Sequence, residues 1–318
     1  MHIEKNLCYI HGCWGISLAR IIAIANQKGG VGKTTTAVNL AASLAASEQK
    51  TLIIDCDPQA NTTSSLGFAK DPGRRTLYQA LVLNEPIDQI VIDAKIDYLD
   101  LIPSDKNLVG ASVELVSMEN REYRLKEAIS GIRDNYSFVL IDCPPSLDLL
   151  TLNALAASDS ILVPIQCEYL AIEGVSELLD THMRVRHTIN PSLDIEGILL
   201  TMYDDRTTLS KQVSADLRSF FGSQVFETVI PRNVRLAEAP SHGMPVIFYD
   251  IHSKGAESYV QLAKEVIANA QKRVGQGIER LDQRTDQGTG TAAAASAASA
   301  ASAGGGNSGG GGPSAGSD

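Results

Sequence analysis

Apolar positions along the chain alternate between short continuous runs and longer stretches with helical spacing. Continuous apolar runs are typical of strands buried on both faces of a parallel sheet, and they occur at Ile21–Ala25, Thr51–Ile54, Tyr98–Ile102, Phe138–Ile141, Ser160–Val163 and Ile195–Thr201. In the segments between them apolar residues recur every three or four positions, which predicts helices over Thr34–Ala46, Arg121–Arg133, Leu147–Ala156, Gly174–His187, Leu209–Phe220 and Lys254–Ala270. We expect a three-layer α/β fold, in which a mostly parallel, twisted sheet carries helices on both faces.

The two ends of the chain depart from this pattern. Residues 288–318 contain no Leu, Ile, Val, Phe, Tyr or Trp, and consist largely of Ala, Ser and Gly. Such a composition buries too little apolar surface to offset the entropy lost on ordering. We therefore predict a poorly ordered N-terminal arm over 1–19, a folded domain over 20–275 and a disordered tail over 276–318.

Composition and charge narrow the class of protein. The 318 residues are 44% hydrophobic and 20% charged, which suits a sizeable core, and no uninterrupted apolar run reaches the ~18 residues of a membrane-spanning helix. The net charge of −10 excludes a basic field over the whole protein, so any DNA contact must come from a local patch. The five cysteines are odd in number and scattered, as in a reducing, cytoplasmic compartment.

A glycine-rich segment, KGGVGKTT, directly follows the first predicted strand and opens the first predicted helix. Its glycines let backbone N–H groups turn inward around an anion, and the helix start adds a positive end. Gln27 stands where the usual G-x-x-x-x-G-K-[ST] loop has its first glycine. We predict that the loop binds ATP, with the Lys33 amine on the β/γ-phosphates and the Thr34 hydroxyl on Mg²⁺. The predicted nucleotide-binding residues are Lys28, Gly29, Gly30, Val31, Gly32, Lys33, Thr34 and Thr35.

Lys28 is an additional lysine in this loop. It precedes Lys33 by five residues, at a position where an ordinary phosphate loop needs no lysine. Across a two-fold interface its amine could reach the phosphates of a facing subunit and offset charge in the transition state, as an arginine finger does. The alternative is a solvated surface lysine.

Three aspartates follow predicted strands. Asp142 closes the strand Phe138–Ile141 in the arrangement of a Walker B motif, and we expect it to hold Mg²⁺ through a water molecule. Asp55 and Asp57 follow the strand Thr51–Ile54, where a carboxylate can orient the attacking water and influence Mg²⁺. Either of these two could instead cap the turn before Pro58.

These segments resemble the ParA/Soj-type partitioning ATPases, relatives of the MinD cell-division ATPases. The loop Lys28–Thr35 is similar to the deviant Walker A motif of that family. The resemblance extends over roughly residues 20 to 270 and continues, in order, through Asp55–Asn61, Leu140–Ser146, Gln166–Tyr169, Thr201–Asp204, Arg206–Thr207 and Pro231–Ser241. It implies that the domain over 20–275 is a P-loop ATPase of the deviant Walker A type.

The resemblance also implies roles for individual residues. It places Lys28 in trans in an ATP-dependent sandwich homodimer, assigns hydrolysis to Asp57, and makes Lys28, Lys33 and Asp57 the catalytic set, with Thr34, Asp57 and Asp142 around the metal. It places base contacts on the segments Thr201–Tyr203 and Pro231–Asn233, with Pro231 and Asn233 as the contacting residues, although Asn233 could simply close a turn.

Partners follow from the resemblance too. It implicates Arg206 and Arg235 in non-specific DNA binding, where each could instead be a solvated charge or part of an intramolecular ion pair. A ParB-like centromere-binding protein is expected to stimulate hydrolysis, and the protein to be cytoplasmic and nucleoid-associated.

Two other functions stay open. A MinD-like membrane-positioning ATPase needs a C-terminal amphipathic helix rich in Lys, Arg and bulky apolar residues. The Ala/Ser/Gly-rich end argues against it, so no stable membrane association is expected. A metabolic P-loop enzyme or an iron–sulfur carrier is the third possibility, and no cysteine pattern here indicates a cluster.

Overall fold

Eight strands form one sheet in the computed structural model, which describes residues 19–168 and 171–273. The strands are β1 Arg20–Ile24, β2 Thr51–Asp55, β3 Ile92–Ile96, β4 Leu99–Ile102, β5 Phe138–Asp142, β6 Ser160–Gln166, β7 Asp194–Tyr203 and β8 Val225–Pro231. Their order is β3-β4-β2-β5-β1-β6-β7-β8, and every neighbouring pair is parallel except β3 with β4. The predicted α/β class with a mostly parallel sheet is confirmed.

Helices follow every strand except β3, which a tight turn joins to β4. They are α1 Lys33–Ala45, α2 Asn61–Ser65, α3 Leu77–Leu83, α4 Leu108–Glu114, α5 Arg124–Ile129, α6 Leu149–Ala157, α7 Ala171–Thr188, α8 Thr208–Phe221, α9 Val234–Glu238, α10 Val246–Tyr249 and α11, which begins at residue 254. Short 3₁₀ turns occupy Ile87–Gln89, Leu115–Ser117, Arg133–Asn135, Gly222–Gln224 and Ala239–His242. Within the described ranges every helix is too short or too polar to span a bilayer.

The chain divides into two compact units, residues 1–266 and 267–318. The first unit contains the whole sheet. In the second, only residues 267–273 are described, and they are helical. The predicted arm up to residue 18 and the predicted tail from 276 lie outside the described residues.

Successive side chains of a strand point to opposite faces of the sheet, and helices bury both faces. On one face Ile21 and Ala23 join a core cluster that includes Leu81 and Leu150 from the helices. On the other face Ile22 is fully buried, where α1 contacts β1, β2 and β5. The continuous apolar runs therefore reflect burial on two sides.

The register aligns the carboxyl ends of the central strands. Asp55 of β2 and Ile24 of β1 both pair with Asp142 of β5. The loops that leave β1, β2 and β5 consequently start at one edge of the sheet, which places the predicted phosphate loop beside the predicted aspartates.

The differences from the predicted elements have local causes. The strand predicted from Tyr98 starts at Leu99, because Tyr98 has a φ of 65° in the tight turn after β3. The helix predicted over Arg121–Arg133 is shorter than expected, since Asn120 has a φ of 53° and the chain turns before α5. Periodicity did not predict β3, β8 or the short helices α2, α3, α4, α9 and α10, which carry exposed polar positions or too few turns to show a period.

Candidate active site

The glycine-rich loop leaves β1 and enters α1 through left-handed backbone conformations. Gly30 has a φ of 75° and Gly32 a φ of 90°, values that side chains with a Cβ rarely adopt. Gly32 is the N-cap residue of α1, and its carbonyl accepts a hydrogen bond from Thr36 N (2.8 Å). The first N–H groups of a 13-residue helix thus follow the loop directly, as in an anion-binding site.

Two polar side chains, neither of them predicted to have this role, hold the loop in place. Asn26 accepts from Lys28 N (2.9 Å) and donates to Pro164 O (2.8 Å). Thr201, at the carboxyl end of β7, donates to Val31 O (2.8 Å). The resemblance places Thr201 in a segment that contacts the base and does not indicate this contact with the loop. The sequence signal for it is the position of Thr201 near the end of a strand. The loop is therefore pre-formed by contacts to β6 and β7.

Lys33 lies inside this loop. Its residue is 7% exposed and its Nζ donates to Lys28 O (2.9 Å) across the loop. Burial lowers the pKa of Lys33, and the nearby Asp142 carboxylate opposes that change. The amine thus lies at the centre of the loop, where phosphates bind in a P-loop.

Lys28 has a partner in its own chain. Its amine forms an ion pair with the Glu168 carboxylate, and the two side chains are 40% and 36% exposed. The sequence places Glu168 in a segment that resembles the family and predicts no contact or catalytic role for it. An exposed ion pair contributes about 0–1 kcal/mol, so Lys28 is held loosely at the rim of the site.

Asp142 has the geometry of a metal-binding carboxylate. Its Oδ2 accepts from Thr34 Oγ1 (2.8 Å) and Thr62 Oγ1 (2.7 Å), whereas its buried Oδ1 has no hydrogen-bond partner within residues 19–168 and 171–273. Burial raises the pKa of Asp142 to about 6. A buried carboxylate oxygen without a donor, next to a threonine hydroxyl, fits hydrated Mg²⁺. The predicted pairing of Thr34 with Asp142 is thus present in space.

Asp55 and Asp57 occupy different environments. Asp55 is fully buried and its Oδ2 accepts from Thr63 N (2.8 Å) and Thr63 Oγ1 (2.7 Å), while Oδ1 accepts from Asp57 N (3.2 Å). Burial, together with the Asp142 charge, raises the pKa of Asp55 to about 7. Asp55 therefore organises the turn into α2, which is the capping role left open for it.

Asp57 lies in the segment between β2 and α2, two residues after Asp55. It is 8% exposed, and its Oδ1 accepts from Gln59 N (2.9 Å) in the turn after Pro58. Ser104, which follows β4, donates to the Asp57 carbonyl (2.8 Å) and holds this segment against the sheet edge. Asp57 thus has both a turn contact and a position beside the phosphate loop.

The segments predicted to contact the base are neighbours. Tyr203 of β7 pairs with Pro231 of β8, and Arg232 N donates to Tyr203 O (3.0 Å). Asn233 caps α9 through a hydrogen bond that its Oδ1 accepts from Arg235 N (2.8 Å). The structure therefore shows the turn-closing role of Asn233.

Both predicted DNA-contacting arginines form intramolecular ion pairs. Arg206, with its side chain 83% exposed, donates two hydrogen bonds to Asp204 (2.8 and 2.7 Å), which lower the pKa of that carboxyl to about 2. Arg235 pairs with Glu238 (2.8 Å) and Asp250 (3.1 Å). The ion-pair alternative is the one that this structure shows for each.

The cysteines of the described ranges are buried thiols. Cys56, Cys143 and Cys167 are free and buried, and burial raises the pKa of the Cys167 thiol to about 11. Raised thiol pKa values oppose reactivity at neutral pH. Cys8 and Cys13 lie outside the described residues.

The chain is similar to known nucleotide-binding and chromosome-partitioning proteins. A family model described as an AAA domain matches residues 19–195. The chromosome partitioning protein ParA of Myxococcus xanthus is 53% identical over 251 residues, covering 79% of this chain and 89% of that protein. The sporulation initiation inhibitor protein Soj of Bacillus subtilis is 52% identical over 252 residues, covering 79% and 100%. A crystal structure of cobyrinic acid a,c-diamide synthase from Mycobacterium smegmatis, with bound ADP and magnesium, has a TM-score of 0.69 at 36% identity over 78% of this chain and 94% of that one.

Proposed function

Because the chain belongs to the ParA/Soj family of chromosome-partitioning ATPases, we propose that ATP closes it into a homodimer that binds DNA without sequence preference. The enzyme hydrolyses ATP to ADP and phosphate with Mg²⁺. The observation that supports the nucleotide-dependent part of the proposal is the buried Asp142 carboxylate, whose Oδ1 has no partner within the described chain, beside a phosphate loop in left-handed conformations.

Thr34 and Asp142 would hold Mg²⁺, which, when bound, neutralises charge on the phosphates. Lys33, already directed across the loop, stabilises the β/γ-phosphate oxygens. Asp57 orients the attacking water and accepts its hydrogen bond, because it lies at the sheet edge and, within the described residues, its side chain accepts only from Gln59 N. Little covalent chemistry is needed, since phosphoryl transfer depends mainly on positioning and charge.

Lys28 provides the link between ATP and dimerisation. In the single chain its amine pairs with Glu168 at the rim of the site. In the dimer the amine leaves Glu168 for the phosphates of the facing subunit, where the negative charge is larger and less screened. Nucleotide binding and dimer closure therefore become one event.

Arg206 and Arg235 would contact DNA phosphates. Both are exposed or half-exposed, and their present partners are surface carboxylates that DNA phosphates can replace. Closing a dimer doubles the phosphate contacts and so raises the affinity for DNA steeply. A ParB-like centromere-binding partner then stimulates hydrolysis, and the dimer leaves the nucleoid.

The experiment is fluorescence anisotropy on random-sequence DNA with ATP, with ADP and without nucleotide. We expect binding with ATP alone, persistent binding by Asp57→Ala, whose hydrolysis falls by about 10²-fold or more, and none by Lys33→Ala, which loses the nucleotide. Equal affinity in all three nucleotide states would contradict the proposal. ATP-dependent sedimentation with lipid vesicles would favour membrane positioning instead.

A further inference from the structure

A close backbone crossing joins the segment after α2 to the turn before α10. Gly67 and Gly243 meet there, and both have left-handed backbones, with φ of 84° and 65°. A Cβ on Gly67 would lie 2.8 Å from Gly243 O, and a Cβ on Gly243 would lie 2.6 Å from Gly67 Cα. Both close contacts are with backbone atoms, so a side chain at either position requires the two segments to separate.

On one side, α2 is held by the two buried aspartates. Thr62 donates to Asp142 Oδ2 (2.7 Å), and Thr63 donates to Asp55 Oδ2 through its hydroxyl (2.7 Å). Thr62 thus shares one carboxylate oxygen with Thr34, the residue expected at the metal. Any rearrangement of that carboxylate on nucleotide binding acts on α2, and Gly67 follows α2 by two residues.

On the other side lies a small hydrogen-bonded unit, residues 234–250, which we name the arginine unit. Arg235 pairs with Glu238 and Asp250, and the Tyr249 hydroxyl donates to Glu238 (3.2 Å). The His242 ring stacks on Tyr249 with ring centroids 4.9 Å apart. These contacts connect α9, the 3₁₀ turn and α10, so a shift of the turn carries Arg235 with it.

The arginine unit has a second anchor, on α1. Asn39 Oδ1 accepts from Val246 N (2.7 Å), and Asn39 Nδ2 donates to Thr35 O (2.7 Å), in the first turn after the phosphate loop. The unit is therefore attached to α1, which carries the phosphate loop, and to α2, which follows Asp57. A relative shift of α1 and α2 must reorient a unit bound to both.

We propose that the Gly67–Gly243 crossing transmits the nucleotide state from α2 to Arg235, which makes these glycines positioning residues for ATP-dependent DNA contact. The DNA part of this proposal rests on the proposed function. The coupling itself concerns the arginine unit alone and is measurable without DNA. The two can therefore fail separately.

Hydrogen–deuterium exchange on the full chain tests the coupling, with Mg²⁺ and either ADP or ATPγS and no DNA present. We expect peptides within 234–250 to exchange at least about twofold differently between the two nucleotides in the wild type. Gly67→Ala and Gly243→Ala should bind ADP within about threefold of the wild type and lose that difference. Gly222→Ala is the matched control, because Gly222 also has a positive φ (54°) but nothing within 4 Å of its Cβ; it should keep the difference.

Anisotropy on random DNA gives the second measurement. The ratio of DNA affinities with ATPγS and ADP should fall by about tenfold or more in both crossing variants and not in Gly222→Ala. The proposal is overturned if the wild type shows no nucleotide-dependent exchange in 234–250, if the crossing variants keep it, or if Gly222→Ala loses it. The wild-type exchange needs no variant, so a variant that does not fold leaves that test intact. Nucleotide-dependent exchange without any DNA binding would refute the proposed function and leave the coupling standing.

Discussion

Lys28 and Glu168 show how the environment of one side chain decides its role. Their charged groups meet within one chain, at the rim of the phosphate loop, with side chains 40% and 36% exposed. Solvent screens such a pair, so it contributes little to folding and exchanges readily with a stronger partner. A lysine held this way is available to a second subunit at small cost.

The prediction at this scale separates the two partners. Lys28→Ala should abolish the ATP dimer, because the charge on the facing phosphates is then unopposed. Glu168→Gln should leave the dimer intact or strengthen it by up to about fivefold, since about 1 kcal/mol of competing ion pair is removed. Analytical ultracentrifugation with ATPγS measures both. A dimer lost equally in the two variants would mean that Glu168 itself is needed at the interface.

The buried aspartates illustrate the opposite case. Both Asp55 oxygens accept hydrogen bonds from Asp57 and Thr63, in the turn into α2 and in α2 itself, whereas Asp142 keeps one buried oxygen without a partner in the described chain. The first arrangement is complete and structural. The second leaves a buried oxygen free to bind a cation or to accept from its water, which is the difference on which the proposed metal role of Asp142 rests.

At the scale of elements, the site depends on how β7 and β8 pack. Both strands end at the segments expected around the base, and β8 pairs with β7 from Ile198, which follows Gly197. A Cβ on Gly197 would lie 2.5 Å from the ring of Phe226, which is buried in β8. A glycine is therefore required where this edge strand joins the sheet.

Gly197→Ala should lower the free energy of unfolding by about 1–3 kcal/mol, because the Phe226 ring must move within a packed core. Urea denaturation measures the change. Gly131→Ala is the control, since nothing lies within 4 Å of its Cβ, and it should change stability by less than about 0.5 kcal/mol. Equal stability of the wild type and Gly197→Ala would show that β8 moves freely against β7.

At the scale of the whole molecule, the net charge would restrict the proposed DNA binding to a local surface. The chain carries a net charge of −10, so DNA is repelled by most of it. Arg206 lies in an exposed loop and Arg235 on the short helix α9, and each is paired with a carboxylate of its own chain. The proposed DNA binding would therefore need two subunits, whose contacts would add on one duplex.

The salt dependence of DNA affinity tests this. If each arginine makes one phosphate contact per subunit, as proposed, Arg235→Ala should reduce the slope of log K against log salt by about 2 in the dimer, and Arg206→Ala likewise. Arg75→Ala is matched in charge, because Arg75 is exposed and paired with Glu85 (3.2 Å); its slope should equal that of the wild type. An unchanged slope in the first two variants would remove them from the DNA surface.

Local patterns were sufficient for much of this protein. Continuous apolar runs indicated the buried parallel strands, since each strand is covered on both faces wherever it lies in the sheet. The loop KGGVGKTT indicated its own conformation, because glycines at positive φ and a helix start are properties of neighbouring residues. The position of Asp142 at the end of a predicted strand was sufficient to place it near the phosphate loop, where its carboxylate accepts from Thr34.

Contacts between distant residues were decided only by the tertiary structure. Three such contacts join Thr62 to Asp142, Glu168 to Lys28 and Gly67 to Gly243, at separations of 80, 140 and 176 positions in the chain. No local spacing relates the residues of these pairs. Likewise β3, β8 and the short helices have too few buried positions to show a period. Their existence depends on pairing with a sheet edge or packing on a neighbour, which is a property of the folded chain and not of the segment itself.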